Sequence, residues 1–292
     1  MPQKTRKMGP LRSTLELIKL LRPKQWVKNG FVLAPLLFTG EFLNPDAIQH
    51  SLIAFLLFSA ASSAVYILND LHDVERDRQH PIKCKTRPLA AGTIGRTGAL
   101  TLLIGLCVII GYGNVWLPAV LPVLVAYLFL NVAYTFFLKH QPVIDIFSIA
   151  TGFVLRVYAG AKALGVPLSS WMFITTLCLA LYLAAIKRRQ ELSQQGITGR
   201  KVLEKYSVTL VDRYAEMSAT GALIFYSLFV MSSKPGLVIT LPLVLFGLFR
   251  YWYVVETLEG GESPTDALLA DIPLIVTLIL WVGACAYTQL AH

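Results

Sequence analysis

Residues 51–92 read SLIAFLLFSAASSAVYILNDLHDVERDRQHPIKCKTRPLAAG. The first part is apolar or small, and as a helix it matches the roughly 20 residues that cross a hydrocarbon core about 30 Å thick. Asn69-Asp70-Leu71-His72-Asp73-Val74-Glu75-Arg76-Asp77 follows without a break, so acids stand at the end of a spanning helix. Asp70, Asp73 and Asp77 are spaced three and four apart, which puts all three on one helical face. Clustered carboxylates repel one another unless they are neutralised. A hard divalent cation does this well, and oxygen ligands with a few waters suit Mg²⁺, which commonly also binds substrate phosphate. The competing reading is a solvated loop end with scattered acids, and these residues alone weigh the two evenly.

The surrounding composition settles the environment. The chain has 292 residues, 55% hydrophobic and 15% charged, with a mean hydropathy of +0.60. A soluble domain is roughly 45–50% apolar and about 25% charged, so a soluble globule and a disordered chain are both disfavoured. Apolar residues run almost the whole length, which also excludes a single-pass anchor. Spans are expected at about 30–43, 51–71, 98–112, 117–137, 143–163, 171–186, 215–231, 236–255 and 272–290. The expected fold is an all-α polytopic membrane bundle of about nine transmembrane helices, one domain over 1–292. Residues 1–29 form a basic N-terminal segment, with an amphipathic helix whose Leu11, Leu15, Ile18 and Leu21 share a face and lie at the membrane interface. No removable signal peptide is expected, because no short apolar core with a cleavage site follows Met1–Arg12.

The formal net charge is +9, from 26 Lys+Arg against 17 Asp+Glu. The basic residues lie between apolar segments, which points to membrane topology and phosphorylated substrates rather than nucleic acid. The segment to Asn29 holds eight Lys/Arg, the 71–96 connection six and the 187–213 connection seven, whereas the opposite connections hold only Lys162 and Lys234. Nine spans put the basic segments on one face. The expectation is a multi-pass membrane protein, N-terminus cytoplasmic and C-terminus outside, with its polar site at the cytoplasmic side. The acidic 256–271 connection bears weakly on orientation. The four cysteines form no CxxC pair, so neither a disulfide framework nor a zinc site is suggested.

Four further segments carry candidate chemistry. Lys83, Lys85 and Arg87 follow the acids directly, an order that suits a diphosphate shared between metal and cations. Positive-inside bias alone is the rival explanation, and His80 reads as a structural loop histidine. In Arg22-Pro23-Lys24-Gln25-Trp26-Val27-Lys28-Asn29, Lys24, Lys28 and Asn29 are candidates for a phosphate or sugar, although composition alone favours a membrane anchor. Asp145 and Arg156 lie in apolar segments, where ionisable residues are functional candidates by default. Eleven residues separate them, about three turns, too far for direct pairing. Lys187-Arg188-Arg189-Gln190-Glu191 ends the sixth span. Lys187, Arg188 and Glu191 are taken as functional, and Arg189 as part of a stop-transfer cluster with internal ion pairs.

Taken together, RPKQWVKN at 22–29, NDLHDVERDRQHPIKCKTRPLAAG at 69–92, GFVLRVYAG at 152–160 and KRRQEL at 187–192 resemble the UbiA-type intramembrane prenyltransferase superfamily, and within it the decaprenyl-phosphate phosphoribosyltransferase branch. The resemblance covers nearly the whole chain. It implies a UbiA-like nine-helix bundle with a cytoplasmic-side cavity, Mg²⁺, and transfer of 5-phosphoribosyl from phosphoribosyl diphosphate (PRPP) to a polyprenyl phosphate with release of diphosphate. That product is, in some bacteria, a precursor of a lipid-linked arabinose donor for cell wall arabinan. Asp70, Asp73 and Asp77 would be the catalytic metal carboxylates, with Asn69 supporting. Lys83 and Arg87 would hold the diphosphate, and Lys24, Gln25, Lys28 and Asn29 the ribose 5-phosphate end. Lys139, Arg156, Lys187 and Arg188, with Glu191, would serve the lipid phosphate or a second phosphate site.

Aromatic prenyltransferases of the superfamily usually carry a second acidic DxxxD after the sixth span, where this chain has Lys187–Glu191. That departure weighs against the alternative of isoprenoid transfer from a diphosphate to an aromatic or other small acceptor. A non-enzymatic transporter is the third reading. It leaves the crowding of acids and bases on one face unexplained, and no two matching halves with broken helices are visible. An oligomer is compatible with every reading.

Overall fold

The computed structural model describes residues 10–113, 115–195, 201–257 and 270–290, and the secondary structure there is entirely helical. The helices are α1 (Pro10–Leu21), α2 (Ala34–Thr39), α3 (Pro45–His72), α4 (Val74–Gln79), α5 (Lys83–Thr86), α6 (Arg96–Gly113), α7 (Leu121–Phe136), α8 (Ile144–Ala163), α9 (Ser170–Gln195), α10 (Val208–Ser233), α11 (Leu241–Thr257) and α12 (Ile272–Leu290). Seven of the described helical stretches are long and apolar enough to cross a membrane. The chain is thus multi-pass.

The two other expected spans take different forms. Leu121–Phe136 is an apolar helix of 16 residues, about 24 Å long at 1.5 Å per residue. The expected first span is broken. Pro23–Leu33 is a 3₁₀ stretch, Ala34–Thr39 a short α-helix, and Gly40 turns the chain with φ +80°. Proline and positive-φ glycine interrupt the hydrogen-bond ladder that a continuous span needs. Long 3₁₀ runs are uncommon, and tertiary contacts hold this one. Asn29 Nδ2 donates to Ser59 Oγ at 3.0 Å and to Ser62 Oγ at 3.1 Å, and Trp26 Nε1 donates to Ser63 Oγ at 3.0 Å. The small-residue face of α3 lets the segment approach, as small and hydroxyl residues do between membrane helices. On the other side the segment crosses α8 at Gly160, where a Cβ would stand 1.9 Å from the Val32 carbonyl oxygen.

α3 and α8 form the centre. Buried residues make up 61% and 67% of their apolar stretches, against 22% for α6, residues 235–257 and α12, which turn Ile104, Val108, Phe249 and Ile279 outward. α3 starts on Asn44, whose side chain accepts from the Asp46 amide, with Pro45 at the first helical position, a favoured start. In α1, Leu17, Leu20 and Leu21 pack against the core under α3. Leu15 and Ile18 of the expected apolar stripe face outward, 59% and 45% exposed. Residues 258–269, most of the acidic connection, lie outside the described residues, as do 1–9.

Candidate functional site

α3 ends at Asp73, whose φ/ψ of −92°/7° breaks the helix before α4. The break changes the expected single acidic face. Asp70 and Asp77 are buried and converge on one guanidinium: Arg87 Nη1 lies 2.9 Å from Asp70 Oδ1 and also bonds Asp77 Oδ2. Arg22 Nη2 reaches Asp70 Oδ1 at 2.5 Å, and its guanidinium lies over the Tyr66 ring at 5.0 Å. Asp73 stays at the rim, half-buried, with His72 Nε2 4.0 Å away. Asn69 Oδ1 accepts a short hydrogen bond from Thr135 Oγ1 of α7.

Beside these carboxylates lies a cavity of about 260 Å³, lined by Lys19, Arg22, Asp70, Lys83, Thr86 and Arg87, among others. Four cations surround one acid, so the cavity suits an anion. Among the described residues no three His, Cys, Asp or Glu side chains gather closely enough to hold a metal. The pair Asp70 and Asp77 nonetheless fits one. Both carboxylates bond the same Arg87 nitrogen, so a cation in its place would meet both. Mg²⁺ is typically held by one or two carboxylates, with substrate phosphate and water completing the shell.

A second polar cluster surrounds Arg188, which is fully buried. Its Nε faces Asp145 Oδ2 at 2.8 Å, Nη1 bonds Glu191 one turn on, and Nη2 donates to Tyr134 OH at 3.0 Å. Tyr206 OH donates to Asp145 Oδ1 at 2.7 Å and accepts from the Val143 amide at 2.6 Å. Burial, and then the Asp145 carboxylate beside it, push the Tyr206 hydroxyl well above the usual phenol range. Val143 carries φ +69°, a costly conformation for a β-branched residue. Thr135 and Tyr134, neighbours at the end of α7, thus link the first acidic motif to Arg188.

Asp145 and Arg156 are both buried and do not meet. Arg156 Nε donates to Asn29 Oδ1 at 2.9 Å, Nη1 to the Gly152 carbonyl at 2.7 Å and Nη2 to Tyr127 OH at 3.2 Å. The rings of Phe58, Tyr127 and Phe153 lie 5.0, 5.0 and 5.3 Å from its guanidinium. Of the N-terminal candidates, Lys28 Nζ bonds Gln25 Oε1 at 2.6 Å. Lys24 is exposed, and Asn29 is buried on Arg156. Lys139 and Lys187 are half-buried. Arg189 bridges Asp212 on α10 and Glu256 on α11, at 2.7 and 2.5 Å, in keeping with a structural role.

Lys19 and Arg22, one turn apart at the end of α1, were not candidates from the sequence. Their signal was position, two cations directly ahead of Lys24. Tyr206 stands in the polar stretch beyond Lys187–Glu191, but its role gave no signal, because its partner Asp145 lies 61 residues away.

A model described as the UbiA prenyltransferase family matches residues 31–267. The chain is 37% identical over 281 residues to a Corynebacterium glutamicum protein named decaprenyl-phosphate phosphoribosyltransferase, covering 91% of this chain and 84% of that one. A Mycobacterium tuberculosis protein of the same name is 35% identical over 287 residues, 94% of each chain. Among solved structures, a UbiA homolog from Archaeoglobus fulgidus bound to GPP and Mg²⁺ superimposes with a TM-score of 0.71 at 17% identity, covering 94% of this chain and 99% of that one. That likeness is one of fold. The same homolog has also been solved bound to Cd²⁺.

Proposed function

We propose that this chain, which belongs to the UbiA prenyltransferase family, transfers 5-phosphoribosyl from PRPP to a decaprenyl-type polyprenyl phosphate and releases diphosphate. The reading rests on the relatives named for that activity over more than nine-tenths of the chain. The observation that carries it lies at the second polar segment. Asp145 and Glu191, the acids there, are both engaged by Arg188, whose side chain is wholly buried, so, unlike Asp70 and Asp77 on the part-exposed Arg22 and Arg87, they are not open to a second metal. Ionising an allylic diphosphate between two metal-bound acidic motifs is thereby disfavoured, and one metal with many cations suits two phosphorylated substrates.

In this reading Asp70 and Asp77 hold Mg²⁺, with Asp73 and Asn69 at the edge of the site. When bound, Mg²⁺ supplies positive charge against the departing diphosphate. Lys83 and Arg87, with Lys19 and Arg22 in the same cavity, hold the diphosphate oxygens as the bond to the anomeric carbon breaks. The nucleophile is a lipid phosphate oxygen, already ionised at neutral pH, so no side chain has to take a proton from it. Lys24, Gln25 and Lys28 serve the ribose 5-phosphate, and Lys139 and Lys187 the lipid phosphate. Asn29, Arg156, Arg188 and Glu191 act behind them, as braces that fix the segments carrying those groups. The protein sits in the bacterial plasma membrane with its N-terminus and site cytoplasmic and its C-terminus outside, a reading supported by the Lys/Arg asymmetry.

The test uses purified protein in detergent with radiolabelled PRPP, polyprenyl phosphates of several chain lengths and Mg²⁺. Metal-dependent label in the organic phase, abolished in Asp77→Asn, is the expected result. A folded preparation that labels no lipid, yet prenylates an aromatic acceptor from a prenyl diphosphate, would overturn the proposal.

A further inference from the structure

The metal carboxylates already have counter-ions. Asp70 and Asp77 carry two negative charges, and Arg22 and Arg87 bring two positive ones within bonding distance. The cluster is electrically balanced as it stands. Arg87 lies in the gap between the two carboxylates that a divalent cation would bridge, because one of its nitrogens bonds both acids. We infer that Arg22 and Arg87 act as exchangeable counter-ions that make metal and diphosphate bind together: the arginines give up the carboxylates to the metal only when a diphosphate is present to receive them.

The charges argue this directly. A divalent cation entering alone leaves two surplus positive charges beside buried carboxylates, with both arginines displaced and unpartnered. A diphosphate entering alone meets Asp70 in the cavity and competes with it for Arg22 and Arg87, and with Asp77 for Arg87. Entering together, the cation takes the carboxylates and the diphosphate takes Arg22 and Arg87, along with Lys19 and Lys83 on the same wall. Asp70, Asp77, Arg22 and Arg87 then each have a partner, and Lys19 keeps Glu16 at 2.5 Å as well.

The geometry permits the exchange. The Arg22 and Arg87 side chains are 26% and 24% exposed, whereas the Asp70 and Asp77 side chains are 2% and 6% exposed. The arginines reach in from the rim and the acids are fixed. Coupling between two ligands is reciprocal, and such couplings commonly amount to about 5- to 150-fold.

This inference rests on Asp70 and Asp77 being the metal carboxylates. The experiment separates the two claims by measuring Mn²⁺ bound to purified protein, from the loss of the free Mn²⁺ electron paramagnetic resonance signal. It is run with and without inorganic diphosphate, against protein-free controls at each concentration. Wild-type protein is expected to bind Mn²⁺ at least about 5-fold more tightly with diphosphate than without it. Arg87→Met is expected to bind Mn²⁺ alone more tightly than wild type, and to lose most of the diphosphate effect. Arg22→Met shifts the same way, and stands in if Arg87→Met does not fold. Equal Mn²⁺ affinity with and without diphosphate overturns the exchange while leaving the metal reading intact. Weaker or unchanged Mn²⁺ binding in both arginine variants likewise overturns it. Absence of Mn²⁺ binding under every condition removes both claims.

Discussion

Replacing Arg188 by Met separates a buried brace from a substrate ligand. Arg188 and Asp145 have no exposed side-chain surface, and Glu191 is 14% exposed. Met fills much of the same volume but leaves Asp145 facing Tyr206 alone, with a charge in a dry interior. Breaking a buried ion pair from one side costs about 3–5 kcal/mol, because the remaining charge is uncompensated. Asp145→Asn is milder, since Arg188 keeps Glu191 and Tyr134; an amide in place of the carboxylate weakens two contacts, at a cost of about 1–3 kcal/mol. The double variant is expected to cost less than the two singles added, by about 0.5–3 kcal/mol, the range seen for residues in contact. The assay is unfolding of the purified protein in mixed micelles with rising SDS, followed by tryptophan fluorescence, with phosphoribosyl transfer measured on the same samples. If Arg188→Met unfolds at the wild-type SDS fraction but raises the KM for polyprenyl phosphate, Arg188 touches substrate and the brace reading fails.

Two further expectations bear on the fold. Gly160→Ala drives a Cβ into the Val32 carbonyl; folded yield should fall sharply, whereas Gly105→Ala in α6, with nothing within 4 Å, should be neutral or slightly stabilising. Asp271 caps α12 by accepting from the Leu274 amide and pairs with Arg250; the Arg250 hydrogen bond holds its carboxyl below the usual carboxylate range. A carboxyl depressed on folding stabilises fully above its unfolded pKa of about 3.9 and loses that contribution as pH falls through the folded value. Wild type should therefore exceed Asp271→Asn in unfolding midpoint at pH 7, with the gap closing below about pH 4.

The sequence made the bundle legible because spanning helices need only length and hydropathy, which are local. Pro45–His72 and Ile272–Leu290 fall close to their expected ranges. The first span failed for a non-local reason. Residues 30–43 are apolar enough for a helix, but Gly160 on α8 and Ser59 and Ser62 on α3 shape residues 23–33 into a tighter path. The site shows the same division. The acidic motif and the basic residues after it are neighbours in sequence, and Asp70, Asp77 and Arg87 meet. Helical spacing carried Asp73 onto their face only if the helix continued, and it breaks at Asp73. Asp145 was visible as an ionisable residue in an apolar run, yet its partners Arg188 and Tyr206 stand 43 and 61 positions away, beyond any periodicity argument.

Both polar clusters pair carboxylates with arginine, and exposure decides what each can do. Arginine suits such sites because its planar fork satisfies several acceptors at once and is less strongly hydrated than an ammonium. Arg188 is wholly buried, so releasing Asp145 would leave both charges inside the protein. Its pairing is fixed for the life of the fold. Arg22 and Arg87 stand at a cavity mouth, each with about a quarter of its side chain exposed. When either leaves Asp70, the guanidinium passes into water or onto an anion rather than into apolar packing. The same chemical pair is therefore permanent at Arg188 and exchangeable at Asp70 and Asp77. The difference arises from where α1 and the chain after α5 bring their arginines to the bundle: at its rim, above acids that α3 and α4 hold inside it.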